Sequence, residues 1–106
     1  MRRHQLRLAV TDYDPKTIQG RFDKYHDDHP EVYTELVRLA RKACKAGKEQ
    51  WGIGALCEVL RWETALRKPE GEAFKLNNNY RSRYARLIME QEPDLATFFE
   101  VRTLAA

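Results

Sequence analysis

The chain has 106 residues, 42% of them hydrophobic, and a formal net charge of +3 at neutral pH. A transmembrane helix needs about 20 consecutive apolar residues, and the sequence contains neither such a run nor the apolar core of a secretory signal. Length and composition therefore exclude a membrane-spanning protein and favour one small domain located in the cytoplasm.

The first 13 residues are predicted to form a flexible basic arm, because they carry three arginines and no helical pattern. A single helical domain is expected from residue 14 to residue 104, since no linker, internal repeat or low-complexity tract interrupts it. Cys44 and Cys57 are both expected on apolar helix faces as buried free thiols, because their spacing matches no disulfide framework.

Two helices are predicted in the first half of this domain. Asp14 and Pro15 are typical of a helix start, and an apolar stripe that ends near Asp28 follows them. Pro30 predicts the start of the second helix, and Gly47 predicts its end. The outer face of the second helix is basic and is expected at the surface, with Arg38, Arg41, Lys42 and Lys45.

Two histidines, His26 and His29, flank two aspartates at the junction of these helices. These side chains are of types that bind metals, but their spacing matches no zinc motif, and Pro30 turns the chain within the cluster. A helix boundary rich in capping residues is therefore preferred over a metal site.

The stretch 51–67 is predicted to be the central helix, because it is apolar on two sides when wound at 100° per residue. The first face consists of Ile53, Leu56, Cys57, Leu60 and Thr64. The second face consists of Ala55, Val59, Trp62 and Leu66. Both faces are expected to be buried, which leaves a narrow polar strip for water. On that strip, Glu58 and Arg61 are expected to form a structural ion pair at the edge of the core.

The chain after Pro69 is predicted to form a short extended segment at 72–77 and then a helix from Tyr80 to Gln91. Pro93 ends that helix and opens a last short one, whose packing residues are Leu95, Phe98 and Phe99. The expected fold is all-α, with four to five helices around 51–67. A winged-helix-like variant that uses the extended segment is the alternative.

No catalytic motif is present in the sequence. It contains no glycine-rich phosphate loop, no nucleophile elbow and no cysteine paired with histidine in a known setting. The prediction is a protein that is not an enzyme and that needs no cofactor.

A basic helix indicates DNA as the partner. In the predicted helix from Tyr80, Arg81, Arg83 and Arg86 are expected to contact the duplex. Asn79 and Ser82 are expected near base edges, and the second helix is expected to add phosphate contacts. One feature opposes this interpretation: a helix-turn-helix joins its helices by three or four residues, whereas about a dozen separate the central helix from this one.

The competing hypothesis is a protein-binding module that docks a partner through aromatic anchors, with Trp51, Tyr80 and Phe98 as candidates. The alternative role for these three side chains is in the core of a small domain. A homodimer is compatible with either function.

The region from about Phe22 to Arg102 resembles a family of small proteins encoded by phages and prophages. The matching blocks are FDKYHDDHPEVYTELVRLARKA, WGIGALCEVLRWE and FKLNNNYRSRYARLIMEQEPDLATFFEVR. The family brings no established activity, cofactor or catalytic residue, so the resemblance implies only a context, the cytoplasm of a host cell. Two functions fit that context: a DNA-binding accessory protein, or an inhibitor of a host enzyme or defence complex.

Overall fold

The computed structural model describes residues 13–68 and 74–99. Within these ranges the chain forms four α-helices and one short 3-10 helix, and it contains no strand. The bounds are Ile18–Asp28 for α1, Pro30–Lys45 for α2, Ile53–Arg67 for α3, Asn78–Gln91 for α4 and Pro93–Leu95 for the 3-10 helix. The predicted all-α fold is confirmed. Among the described helices, none has the length and apolarity to cross a bilayer.

The start of α1 lies later than Asp14 and Pro15 predict, because Thr17 and not Asp14 caps the helix. The Thr17 hydroxyl accepts a hydrogen bond from the Gly20 amide at 2.9 Å, whereas the Asp14 carboxylate accepts one from the Lys16 amide at 2.9 Å. The chain before α1 lies against the helix, since a Cβ added to Gly20 would be 1.9 Å from the Asp14 carbonyl oxygen. Gly20 therefore permits a close backbone approach.

The second helix, α2, has the bounds that Pro30 and Gly47 predict. Gly47 leaves the helix with a φ of +95°, a conformation that residues with a Cβ rarely adopt. One side of α2 is buried along its length and consists of Val32, Leu36, Val37, Leu39, Ala40 and Ala43. The prediction that Cys44 is buried is wrong, because its thiol lies beyond the edge of this side and is exposed. Cys57 of α3 is buried as predicted.

Only one of the two apolar faces of α3 is buried. Leu56, Cys57 and Leu60 lie in the core, because α2 and α4 both pack against this side of the helix. On the second face, Ala55 and Val59 are half-buried, and Val59 packs against the core. The two largest residues of this face, Trp62 and Leu66, are 65% and 62% exposed. The prediction that α3 is wrapped on both sides is therefore wrong. We call this second face the α3 outer stripe and define it by Ala55, Val59, Trp62 and Leu66.

The C-terminal part of the described chain completes the core. Tyr84 and Ile88 of α4 are fully buried, and the aromatic ring of Phe22 from α1 packs edge-on against Tyr84 at 4.8 Å. The packing residues predicted after Pro93 are confirmed as buried, namely Leu95, Phe98 and Phe99. The Trp51 amide donates a hydrogen bond to the Phe98 carbonyl at 3.2 Å, so α3 begins at Ile53 and not at Trp51.

The extended segment predicted at 72–77 is described only from Phe74 onward. From Phe74 to Asn77 the chain has no regular secondary structure, and Leu76 is buried. No strand pairs with this segment in the part of the chain that the structure describes. The described residues therefore do not support the winged-helix alternative, which requires paired strands. The arm predicted for residues 1–13 lies outside the described ranges except for Tyr13.

Candidate nucleic-acid interface

The candidate site is built on the first three turns of α4. The side chain of Asn77 caps this helix and accepts a hydrogen bond from the Asn79 amide at 2.8 Å. The first turn contains no acidic residue, so no carboxylate there offsets the positive end of the helix dipole. The side chains opposite the buried Tyr84 and Ile88 form the outward face of α4, which consists of Asn79, Ser82, Arg83 and Arg86. Asn79 is exposed, the other three side chains are half-buried, and the Nε atom of Arg86 is buried.

Arg83 is held in position by neutral acceptors. Its Nε donates to the Oε1 atom of Gln19 at 3.0 Å, and its Nη1 donates to the Asn79 carbonyl at 3.2 Å. Gln19 in turn donates from its side-chain Nε2 to the Oδ1 atom of Asp23 at 3.0 Å. Asp23 is therefore linked to Arg83 only through Gln19. The guanidinium of Arg83 is therefore oriented by neutral groups, and no acid among residues 13–68 and 74–99 is bonded to it directly.

Arg81, which was predicted to act with Arg83 and Arg86, lies on a different side of α4. Its Nη2 atom is 3.4 Å from the Oε2 atom of Glu58 on α3, and its side chain is 28% exposed. The buried Nε of Arg81 has no hydrogen-bond partner among the described residues. Arg81 thus faces α3 and is separate from the outward face.

A small cavity lies on this second side of α4. Its volume is about 190 Å³, and its charged lining consists of Glu58, Arg61, Lys75 and Arg81. Three cations and one carboxylate give the lining a net positive charge, which favours an anion. Glu58 and Arg61 form the predicted ion pair, with 3.7 Å between their charged atoms, but both side chains are at least half exposed, so the pair lies at the surface and not at the edge of the core.

The arginines of α2 are neutralised by the protein's own acids. Arg38 donates to Glu35 at 3.0 Å and to Glu63 at 2.6 Å. Arg38 and Glu63 thereby link α2 to α3. Arg67, which follows Glu63 at i+4 on α3, lies 4.0 Å from Glu35 of α2. Phosphate contacts from Arg38 would require that its bonds to Glu35 and Glu63 exchange for bonds to DNA.

Arg41, like Arg38, is bonded to two carboxylates. Its Nε donates to Asp94 at 2.9 Å, and its Nη2 donates to Glu92 at 2.6 Å. The hydrogen bonds to Asp94 and Glu92 raise the pKa of Arg41, and the same contact with Arg41 lowers the pKa of Asp94. Lys42 and Lys45 are exposed, and no ion pair involves them within the described ranges.

The histidine cluster lies at a helix junction, as predicted. The His29 amide donates to the Tyr25 carbonyl at 2.9 Å, which ends α1, and Pro30 starts α2 at the next residue. The His29 ring lies 4.5 Å from the Tyr25 ring. Within residues 13–68 and 74–99, no group of three or more His, Cys, Asp or Glu side chains is arranged to hold a metal ion.

The three aromatic anchors proposed for a protein partner differ in exposure. Phe98 is buried, Tyr80 is half-buried against Phe22 and Tyr25, and Trp51 is 38% exposed. Sequence reasoning assigned Trp62 to the core, although it is the most exposed large apolar residue described. Trp62 follows Val59 by three residues and precedes Leu66 by four. This helical spacing is the same in an exposed apolar stripe and in a buried one, so it could not predict which of the two this stripe is.

The two thiols are expected to differ in reactivity. Burial raises the pKa of Cys57 to about 11, so its reactive thiolate is scarce at neutral pH, whereas Cys44 is exposed. We expect one thiol per folded chain to react rapidly with a chromogenic disulfide reagent at pH 7.5, and both to react in denaturant. Rapid reaction of the Cys44→Ser variant in the folded state would contradict the burial of Cys57.

Comparison of the chain with protein-family models, with curated proteins and with solved structures gives no match.

Proposed function

We propose that the chain is a non-enzymatic DNA-binding protein, an accessory protein of a phage or prophage that acts in the host cytoplasm. Its binding surface is the outward face of α4. Arg83 and Arg86 contact phosphates, and Asn79 and Ser82 lie near base edges, where amide and hydroxyl groups can donate and accept hydrogen bonds.

The observation that carries this proposal is the setting of Arg83. A guanidinium that already pairs with a carboxylate must give up that pair to bind a phosphate, which offsets the gain. Arg83 is instead bonded to the Gln19 side-chain oxygen and to a backbone carbonyl. Its charge is available, and its orientation is fixed before DNA arrives, which lowers the entropy cost of binding.

Two further cations lie on the second side of α4, separate from the outward face. Lys75 and Arg81 line the cavity at the start of the helix, where a second phosphate of the duplex can bind. Arg38 and Arg41 contribute less than the sequence suggested, because acids neutralise them. Of the α2 residues, Lys42 and Lys45 are the better candidates for phosphate contacts.

Salt dependence tests the proposal. If about four phosphates are neutralised, a slope of about −0.9 per phosphate predicts that affinity falls about a hundredfold between about 50 and 200 mM salt. We expect this loss in fluorescence anisotropy titrations of a labelled mixed-sequence duplex with the whole chain. Binding that is undetectable at the lowest salt, or that does not change with salt, would refute the proposal.

A protein-binding role, as an inhibitor or adaptor of a host enzyme or defence complex, is the second candidate. The observation that favours it is the exposure of Trp62 and Leu66 on the α3 outer stripe, since large apolar side chains at a surface mark interaction sites. A pull-down with and without nuclease separates the two functions. Capture of one host protein that resists nuclease supports the second, and loss of captured material after nuclease supports DNA binding.

A further inference from the structure

We propose that the cavity between α3 and α4 binds one phosphate group, and that this phosphate displaces the carboxylate of Glu58 from Arg81. The cavity takes the group from whichever molecule carries it, a small phosphate ester or a DNA duplex. The inference does not depend on DNA binding, because the cavity is separate from the outward face of α4 and its test uses inorganic phosphate.

The charges that line the cavity come from three parts of the chain. Glu58 and Arg61 belong to α3, Arg81 belongs to α4, and Lys75 lies in the segment before α4. Three cations and one carboxylate leave a formal charge of +2 on the lining. A phosphate monoester carries a charge of about −1.5 to −2 at neutral pH, so it balances this lining, whereas a carboxylate ligand would neutralise only half of it.

Arg81 retains hydrogen-bond donors for a ligand. Its Nη2 atom donates to the Oε2 atom of Glu58 at 3.4 Å, and its Nε atom is buried without a hydrogen-bond partner among the described residues. In Arg41 the same two nitrogens donate together to the carboxylate of Asp94, at 2.9 and 3.0 Å. The corresponding edge of Arg81 can therefore donate to two oxygens of one phosphate, which is the geometry that arginine favours with this group.

Glu58 binds this edge only weakly. Its carboxylate oxygens lie 3.4 Å from Arg81 and 3.7 Å from Arg61, whereas charge-assisted hydrogen bonds are about 2.7–2.9 Å long. The side chain of Glu58 is 58% exposed, so water can solvate the carboxylate when it leaves Arg81. Exposed ion pairs contribute little free energy, and their loss is offset by new bonds from Arg81 to the phosphate.

The cavity has an apolar base and a charged mouth. Cys57 and Leu76 are buried beneath it, and an apolar base strengthens the attraction between the charges above it. Lys75 is exposed and takes part in no ion pair within the described ranges. The volume of about 190 Å³ equals that of about six water molecules at about 30 Å³ each. A phosphate group fits this space, and the molecule that carries it extends into solvent.

Titration of the whole, isotopically labelled chain with sodium phosphate tests the site. Sodium chloride keeps the ionic strength constant, so that general screening does not change during the titration. We expect saturable shifts of the backbone amide signals of Lys75 and Leu76, and of the Nε–H signal of Arg81. The absence of saturable shifts would overturn the proposal.

Two variants should change the phosphate affinity in opposite directions. Arg81→Gln should weaken binding about tenfold or more, as loss of a hydrogen bond to a charged group does. Glu58→Gln should strengthen binding about two- to fivefold, the range for one exposed charge pair, because the competing carboxylate is removed. Arg67→Gln, an exposed change on α3 outside the cavity, is the control and should leave the affinity unchanged.

Lys75→Gln keeps the test decisive if Arg81→Gln does not fold, because Lys75 is exposed, and this variant should also weaken phosphate binding. The same variant distinguishes the two carriers. If a duplex phosphate occupies the cavity, Lys75→Gln lowers the salt slope of DNA binding by about 1, and if a small ester occupies it, the slope does not change. Phosphate binding by a chain that does not bind DNA would refute the DNA interface alone. A Glu58→Gln variant that binds phosphate no more tightly than the natural chain would overturn the proposed displacement.

Discussion

Arg83→Gln is expected to weaken binding to duplex DNA about tenfold or more and to reduce the salt slope by about 1, as loss of a phosphate contact does. Arg41→Gln removes the same charge but should leave the slope close to that of the natural chain. The reason is the difference in partners: Arg83 is bonded to neutral oxygens, whereas Arg41 is bonded to two carboxylates.

The comparison of these two variants removes the general effect of net charge. Each lowers the formal charge by one, so long-range attraction to DNA falls equally in both, and any difference reports direct contact. The measurement is anisotropy at several salt concentrations, with thermal melting to show that both variants fold. Equal losses of affinity and slope would contradict the assignment of Arg83 to the interface.

Gly20→Ala is expected to destabilise the protein, although alanine is the better helix former. The new Cβ would lie 1.9 Å from the carbonyl oxygen of Asp14 and 2.7 Å from its carbonyl carbon, and backbone atoms cannot rotate away. Overpacking of this kind costs about 1–3 kcal/mol, and the higher helix preference of alanine offsets only about 1 kcal/mol. A lower midpoint of urea unfolding with an unchanged slope is the expected result.

Gly54→Ala is the matched control for Gly20→Ala. Gly54 also lies in a helix, but a Cβ there would be 3.8 Å from the Nη1 atom of Arg81, which is an ordinary contact. The same substitution should therefore stabilise the protein by roughly 0.5–1 kcal/mol. If both variants gain stability, the chain before α1 does not pack against Gly20.

The helix bounds could be predicted where local chemistry fixes them. Pro30 starts α2, because proline lacks an amide hydrogen and the amides of the first helical turn have no partner in the helix. Gly47 follows the end of α2, because glycine adopts a positive φ. At α1 the same reasoning placed the helix start at Asp14 and Pro15, whereas Thr17 caps the helix. Asp14 and Thr17 can both cap a helix, and the choice depends on how the preceding chain lies against Gly20, which is a tertiary contact.

The burial of α3 could be predicted only in part. Periodicity identified two apolar faces, but it does not reveal how many helices are available to cover them. Leu56 and Leu60 are buried because α2 and α4 meet on their side. Trp62 and Leu66 have the same helical spacing, and no described element covers them.

The residue types of the candidate site could be predicted from the sequence. Which of its arginines are paired with acids could not. Helical spacing placed Arg83 and Arg86 on one face. It could not reveal that Arg41 meets Glu92 and Asp94, which lie about 50 residues away in sequence. Local spacing carries no information about pairs that the tertiary fold creates.

The most direct test of the central claim is a map of amide chemical shifts as a short DNA duplex is added to the isotopically labelled chain. The outward face of α4 should respond first, with the largest changes between Asn79 and Arg86 and at Gln19, whose side chain holds Arg83. Changes confined to the α3 outer stripe, or no change at low salt, would contradict the claim that this face binds DNA.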